Sequence, residues 1–273
     1  MSAEIIEIPR SASRLAALEV AVEAARRAGG LLMERYHSEK SISYKGRADM
    51  VTDVDLAAEG KILALLREEY PDFGILSEES PAEAGESGFT WIVDPLDGTR
   101  NYALQVPHFC VMVALAHSNE PIIGVTYDPL REEMFTAERG KGAFMNGTAV
   151  EATRHSSLEE CVLAFEMGYI DDMASKALKL VGGLWPNMQA VRVMGSAGLG
   201  LAYAACGRVD LFFHHKLSPW DIAAGIILVR EAGGLAVDRY GGSRCLEDGS
   251  VIASSPRIVQ CFFDATEGMD WRQ

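Results

Sequence analysis

A run of strand-forming residues that ends on a carboxylate constrains this chain more than any other feature. Thr90 to Val93 leads without a break into Asp94, and Pro95, Leu96, Asp97, Gly98 and Thr99 follow. In layered α/β proteins the ends of strands are where ligand sites form. Asp94 and Asp97, with the Leu96 carbonyl between them, supply hard oxygen donors of the kind Mg²⁺ prefers. Gly98 and Thr99 add backbone N–H groups and a hydroxyl where an anion can sit against the metal. A helix starting there adds its own free N–H groups. Metal ligands and anion donors in one turn point to phosphoryl chemistry.

The 273 residues, 48% of them hydrophobic, suffice for one large domain or two small ones. No repeat, low-complexity linker or composition shift divides them. The expectation is a single domain over residues 1–273, with an N-terminal α+β part at about 12–150 and a C-terminal α/β part at about 151–273. A net charge of −14 and a pI near 4.9 argue against nucleic acid as a main partner, because backbone phosphates need a basic face. An acidic protein that binds a phosphate ester needs a cation between the two. The five cysteines, Cys110, Cys161, Cys206, Cys245 and Cys261, are dispersed with no CxxC pair. That spacing fits reduced thiols better than disulfides or a zinc site. The N-terminus lacks a basic-then-apolar signal, and no uninterrupted apolar run reaches the ~18 residues of a membrane span. A soluble cytoplasmic protein is expected, with no membrane partner.

After an N-terminus expected to fray, Leu15, Leu18, Val22, Ala25, Leu32 and Tyr36 recur at helical spacing. Asp49 to Asp55 is expected to open a second helix running to about Tyr70, with Thr52 or Asp53 as its cap. A short strand, Phe73 to Leu76, leads into Ser77-Glu78-Glu79-Ser80. Strands follow at Val111–Ala116, Ile122–Tyr127 and Glu133–Glu138. The C-terminal part alternates strands (Val162–Phe165, Ala190–Met194, Val209–Phe213, Leu235–Val237, Val251–Ser254) with helices (Met173–Leu180, Gly198–Cys206, Ile222–Ala232). Sheets covered by helices are the most economical arrangement of these elements.

Asp55, Glu78, the Asp94/Asp97 pair and Asp221 all stand at ends of these elements. Two like charges ~4 Å apart repel by about 4 kcal/mol at an effective dielectric near ~20. Carboxylates gathered in one place therefore need divalent cations or must hold protons.

Five segments carry a resemblance to a known family. They are Asp49-Met50-Val51-Thr52-Asp53-Val54-Asp55, Ser77-Glu78-Glu79-Ser80, Trp91 to Tyr102, Gly195-Ser196-Ala197, and Trp220-Asp221-Ile222-Ala223-Ala224-Gly225. In this order they resemble the inositol monophosphatase family, within the Mg²⁺-dependent, lithium-sensitive phosphatases, and they span the chain from about Ala12 to about Ser254. The resemblance implies an α/β fold in alternating α-β-α-β-α layers and an enzyme that hydrolyses a phosphate monoester of a small polyol or sugar. It implies two to three Mg²⁺ ions: Glu78, Asp94 and the Leu96 carbonyl at the first, Asp94, Asp97 and Asp221 at the second, and Glu78 at a weaker third. Asp55 and Thr99 would orient the attacking water, with Glu78 on the activating metal. Gly98 and Thr99 N–H groups would hold phosphate, Asp97, Ser196, Ala197 and Asp221 would border the substrate, and Glu79 would support rather than ligate. The expected reaction is in-line attack of a metal-activated water, without a phosphoenzyme. The resemblance also suggests a homodimer. Fructose-1,6-bisphosphatase, histidinol-phosphatase and 3′-phosphoadenosine 5′-phosphate phosphatase activities are alternatives within the same chemistry, and a non-catalytic interaction scaffold is one outside it.

One position departs from the pattern. Seven residues before Asp221, where many inositol phosphatases carry a substrate-binding Glu, stands His214, followed by His215 and Lys216. A Glu accepts hydrogen bonds from hydroxyls, whereas His and Lys mostly donate. The expectation is a substrate other than myo-inositol 1-phosphate, with a further acceptor or anionic group, and His214 as a contact to it. Lys45 is placed either to reach phosphate or simply to be solvated.

Overall fold

Small residues decide how the first helix meets the first sheet. The computed structural model describes residues 7–46 and 49–272, so residues 1–6 of the terminus expected to fray lie outside the described residues. Helix α1 (Ala17–Arg35) buries Ala17, Val20, Ala21, Ala24, Ala25, Ala28, Gly29 and Leu32. This face is rotated from the expected one, since Leu15 is 41% exposed and Leu18 and Val22 are half-buried. Close approach is the reason: a Cβ on Gly29 would stand 2.5 Å from the Tyr127 ring.

Strands β1 (Ile42–Gly46) and β2 (Asp49–Thr52) form an antiparallel pair where the start of the second helix was expected. Helix α2 (Asp53–Glu69) begins only after Thr52. The Thr52 hydroxyl accepts from the Val54 N–H at 3.2 Å, and the Thr52 N–H donates to Asp55 at 2.9 Å. Thr52, and not Asp53, is therefore the cap, with Asp55 closing a capping box.

Strands β3 (Gly74–Ser77) and β4 (Phe89–Asp97) pair in parallel, and the short helix α3 (Thr99–Ala103) follows at once. Four further strands meander antiparallel from β4: β5 (Cys110–His117), β6 (Glu120–Asp128), β7 (Glu133–Glu138) and β8 (Gly142–Met145), with the two-residue β9 (Thr148–Ala149) at the edge. The second half supplies β10 (Val162–Phe165), α4 (Asp171–Leu184), β11 (Ala190–Arg192), α5 (Ala197–Ala205), β12 (Leu211–His214) and α6 (Pro219–Glu231). It ends with β13 (Leu235–Val237), α7 (Cys245–Asp248), β14 (Val251–Ser254) and α8 (Pro256–Ala265). Their sheet has the order β11-β10-β12-β14-β13, with β10 parallel to both β11 and β12.

Beside the small β1–β2 pair, the two larger sheets alternate with three helical layers. Helices α1 and α2 cover one face of the larger sheet around Trp91, Val93, Val111 and Val113. Helices α5 and α6 fill the space between the sheets, touching Phe135 and Met112 on one side and Phe212 and Ala253 on the other. Helices α4 and α8 cover the outer face of the smaller sheet around Leu163, Phe213 and Ile252. The layers run α-β-α-β-α, as expected. Among the described residues, no helix is long and apolar enough to cross a membrane.

Candidate active site

The carboxylates converge because β4 leaves its ladder at Asp94. Asp94 faces Met112 on β5, yet Asp97 faces Cys110, so three steps on β4 match two on β5. Pro95, which cannot donate to a ladder, sits in this bulge. The Asp94 carboxylate accepts the Leu96 N–H at 2.9 Å, which fixes the turn. The parallel pairing of Ser77 with Val93 then sets Glu78 beside Asp94, and the Glu78 N–H donates to the Val93 carbonyl at 3.2 Å. The Glu78 and Asp94 carboxyl groups are close enough to share a hydrogen bond. Asp221 enters from the first turn of α6, where it closes a capping box by accepting the Ser218 N–H at 2.7 Å.

Asp97 is the most heavily supported of the set. It accepts hydrogen bonds from the Ser196 hydroxyl, the Ala197 N–H (3.2 Å), the Gly198 N–H (2.9 Å) and the Cys110 thiol (3.4 Å). The approach of α5 needs a glycine, since a Cβ on Gly198 would lie 2.4 Å from the Met112 sulfur and 3.0 Å from Asp97 Oδ2. Gly98 stands at φ +88°, in the left-handed region, and turns the chain from β4 into α3. The Thr99 hydroxyl lies 2.9 Å from Asp55 Oδ1 and 3.0 Å from the Leu96 carbonyl oxygen.

These residues surround a cavity of about 370 Å³ lined by Lys45, Asp49, Glu78, Asp94, Leu96, Asp97, Gly98, Thr99, Tyr169, Lys216 and Asp221 among others. A larger groove of about 810 Å³, between the N-terminal segment and the ends of β6 and β7, carries no comparable gathering of carboxylates. Chemistry rather than size identifies the site.

Burial pushes the pKa of Asp94 and Asp221 well up, reinforced by the neighbouring carboxylates. Burial likewise raises Asp97 and Glu78, and carries Asp55 up to about 6 against the hydrogen bonds from Thr52 and Thr99. Lys45 Nζ sits 2.8 Å from both Glu78 and Glu79. One ammonium does not balance this acidic set. An all-oxygen cluster of buried carboxylates and a carbonyl, strained by its own charge, fits Mg²⁺ in donor type.

Three expected substrate contacts are placed elsewhere. Ser196 and Ala197 do not line the cavity but turn their hydrogen bonds onto Asp97. His214 is 2% exposed and packs beneath the Gly168 turn, where its Nδ1 accepts the Lys216 N–H at 3.1 Å. Burial lowers its pKa to about 3, so it is a neutral internal group. Asp55 reaches the cavity only through Thr99. Lys216 and Tyr169 line the wall instead.

Several further residues support the site. Glu59, 4% exposed, accepts hydrogen bonds from the Ser77 and Ser80 hydroxyls and from the Glu79 N–H at 2.9 Å, and so clamps the Glu78 turn. Its signal was available: it lies one helical turn after Asp55, on the same face of α2. Asn101 Nδ2 donates to the His108 and Met194 carbonyls at 2.8 Å each. Glu166 accepts the Met194 and Gly195 N–H groups at 2.9 and 2.8 Å. Those two residues fix the turn that delivers Ser196 to Asp97; Asn101 lies within the Trp91 to Tyr102 segment, whereas no local pattern announces Glu166.

The family profile described as "Inositol monophosphatase family" matches residues 15–266. The protein named "Nus factor SuhB" of Escherichia coli strain K12 is 41% identical over 247 residues, 89% of this chain and 92% of that protein. The "Inositol monophosphatase" of Dictyostelium discoideum is 37% identical over 252 residues, with coverage of 89% and 92%. Among solved structures, the "extragenic suppressor protein suhB from Bartonella henselae" superimposes with a TM-score of 0.88 at 38% identity, over 92% of this chain and 98% of that one.

Proposed function

From membership of the inositol monophosphatase family, to which this chain belongs, we infer that it is a phosphatase acting on a monoester of a small polyol or sugar with the help of Mg²⁺. The observation that carries the reading is the convergence of Glu78, Asp94, Asp97 and Asp221 on one cavity, with the Thr99–Asp55 pair at its edge.

Glu78, Asp94, the Leu96 carbonyl, Asp97 and Asp221 would hold two to three Mg²⁺ ions. Bound there, Mg²⁺ would lower the pKa of a coordinated water and offset charge on the phosphoryl oxygens. The protein's own groups do the rest. Gly98 and Thr99 N–H groups hold the phosphate. The Thr99 hydroxyl passes its proton to Asp55 and so can accept one from the attacking water, which enters in line with the ester oxygen. The new P–O bond forms as the ester P–O bond breaks, the departing alkoxide takes a proton from solvent water, and no phosphoenzyme forms. The residues around Asp97 keep that carboxylate aimed while charge moves.

Lys216 on the cavity wall, with neutral His214 buried behind it, favours a substrate bearing a further acceptor or anionic group over myo-inositol 1-phosphate. Phosphate release measured over inositol, sugar, bisphosphate, histidinol and nucleotide esters, with Mg²⁺ and with EDTA, tests both parts. Activity unaffected by EDTA would sink the metal reading. Inositol phosphate outperforming every other ester by about tenfold in kcat/KM, roughly 1.4 kcal/mol, would sink the substrate reading. Lithium is expected to inhibit by taking one of the metal positions, and unchanged turnover in tens of millimolar LiCl would count against that.

The name of the Escherichia coli relative favours a second reading, an interaction scaffold. A scaffold has no use for the complete ligand set. Its mark would be a function that survives Asp94→Asn intact. A homodimer is also proposed, and exposed Met167 and Val193, near the adjacent ends of β10 and β11, offer apolar surface for it. Sedimentation decides. The five free thiols support a cytoplasmic location.

A further inference from the structure

The smaller sheet carries a second cluster of ligand-type side chains at its other end. His155 lies in the segment leading to β10, Cys161 immediately precedes that strand, and Asp210 immediately precedes β12. One donor atom from each, a ring nitrogen, the sulfur and a carboxylate oxygen, lie within 4.8 Å of one another. His155 Nδ1 is 3.0 Å from Asp210 Oδ1, while Asp210 Oδ2 accepts the Val162 N–H at 2.7 Å. The carboxylate is thus held by the backbone through one oxygen and faces the His155 ring with the other. The Cys161 thiol points to the Ser157 carbonyl at 3.2 Å. The Cys261 thiol points to the neighbouring Ser156 carbonyl at 3.7 Å, so a second sulfur borders the cluster.

We propose that His155, Cys161 and Asp210 form a binding site for one borderline-soft divalent cation, Zn²⁺, separate from the catalytic centre. The donor set selects the ion. Nitrogen and sulfur suit Zn²⁺ and disfavour Mg²⁺, which the all-oxygen catalytic cluster suits. Distance separates the two sites, because they stand at opposite ends of β10 and β12, and four strand residues span ~13 Å. Access is provided by His155, whose side chain is 47% exposed, while Asp210 and Cys161 are buried behind it. Burial raises the Cys161 thiol to about 12, so in the free protein it is protonated and acts as a small apolar group. On binding, the thiol proton goes to solvent, the sulfur becomes a thiolate ligand, and the His155–Asp210 hydrogen bond is exchanged for two metal bonds. Affinity therefore rises with pH. The ion would tie the segment leading to β10 to the starts of two strands, with three protein ligands and a water completing the tetrahedron.

Equilibrium dialysis of the full chain against Zn²⁺, and titration with Co²⁺ as a spectroscopic substitute, test the site. Both are performed in an Asp94→Asn background that disables the catalytic cluster. The expected result is one tightly held ion per chain and a sulfur-to-cobalt charge-transfer band, which carboxylate sites do not give. His155→Ala and Cys161→Ser should each weaken Zn²⁺ binding by at least about tenfold, and Cys161→Ser should abolish the band. In the Asp94-intact chain, His155→Ala should leave phosphatase turnover unchanged. The proposal fails if no ion is held, if the band is absent, or if His155→Ala binds as tightly as its parent. His155 is half exposed, so that variant keeps the test valid even where Cys161→Ser disturbs the core.

Discussion

Replacing Asp94 by Asn should damage activity and, in the absence of metal, stabilise the fold. Asp94 is 1% exposed, and Glu78, Asp97 and Asp221 all act on it with like charge. A single such neighbour at ~4 Å costs about 4 kcal/mol at an effective dielectric near ~20. The wild-type protein escapes part of that cost by holding protons, as the raised pKa values of the cluster require. Asparagine keeps the oxygen that accepts the Leu96 N–H and turns an amide donor toward Glu78. After the discount for protonation, a gain of roughly 2–3 kcal/mol remains at about pH 8, which corresponds to a rise of roughly 4–10 °C in Tm. With Mg²⁺ the order reverses, because only the wild-type protein gains binding free energy from the ion. Turnover should fall at least about a hundredfold, a loss of roughly 2.7 kcal/mol in transition-state stabilisation. Thermal melts in EDTA and in Mg²⁺, paired with phosphate release, measure both effects. A variant that melts below wild type in EDTA at that pH would show that repulsion does not dominate the cluster, and the charge argument for metal binding would fall with it.

Glu59→Ala should leave the Ser77, Ser80 and Glu79 donors without their acceptor, at a cost of about 2–4 kcal/mol in a urea melt, and should lower kcat through the displaced Glu78 turn. Gly198→Ala places a methyl group against Met112 and Asp97, and should reduce turnover and weaken Mg²⁺ binding while the circular dichroism spectrum stays native. Asp55 and His214 should give opposite pH dependences. The Asp55 carboxyl, raised to about 6, favours the metal-free fold in acid, and that stability is lost as pH rises from about 4 through about 6. His214, lowered to about 3, favours the fold above about pH 6.5 and loses that contribution as pH falls, about 2 kcal/mol by about pH 5. His214→Gln should therefore flatten the acid limb of a stability–pH profile, and an unchanged limb would show that His214 is not buried as a neutral ring.

The carboxylate turn was legible because its information is local. A strand that meets Asp94, a proline that spoils the ladder, and Asp97, Gly98 and Thr99 behind it lie within a few residues of one another. The capping boxes of Thr52 with Asp55 and Ser218 with Asp221 are similarly short-range, although of these only Thr52 is picked out as a cap from the chain alone. The layered fold followed from the alternation of strand and helix periods, and from the family resemblance carried by five separated segments. Tertiary structure decided the rest, because the interactions concerned join residues far apart. The alanine face of α1 outweighed its larger side chains only because Gly29 meets Tyr127 across the sheet. Glu59 becomes the clamp of Glu78 only once α2 lies against β3. His214 looked like a substrate contact until the Gly168 turn covered it. The dispersed cysteines gave no metal-site spacing, yet parallel pairing of β10 with β12 sets Cys161 near Asp210, 49 residues on in the chain. Spacing along a chain records the contacts within a turn or a strand, whereas contacts between layers depend on which faces pack, and packing is settled by the whole molecule.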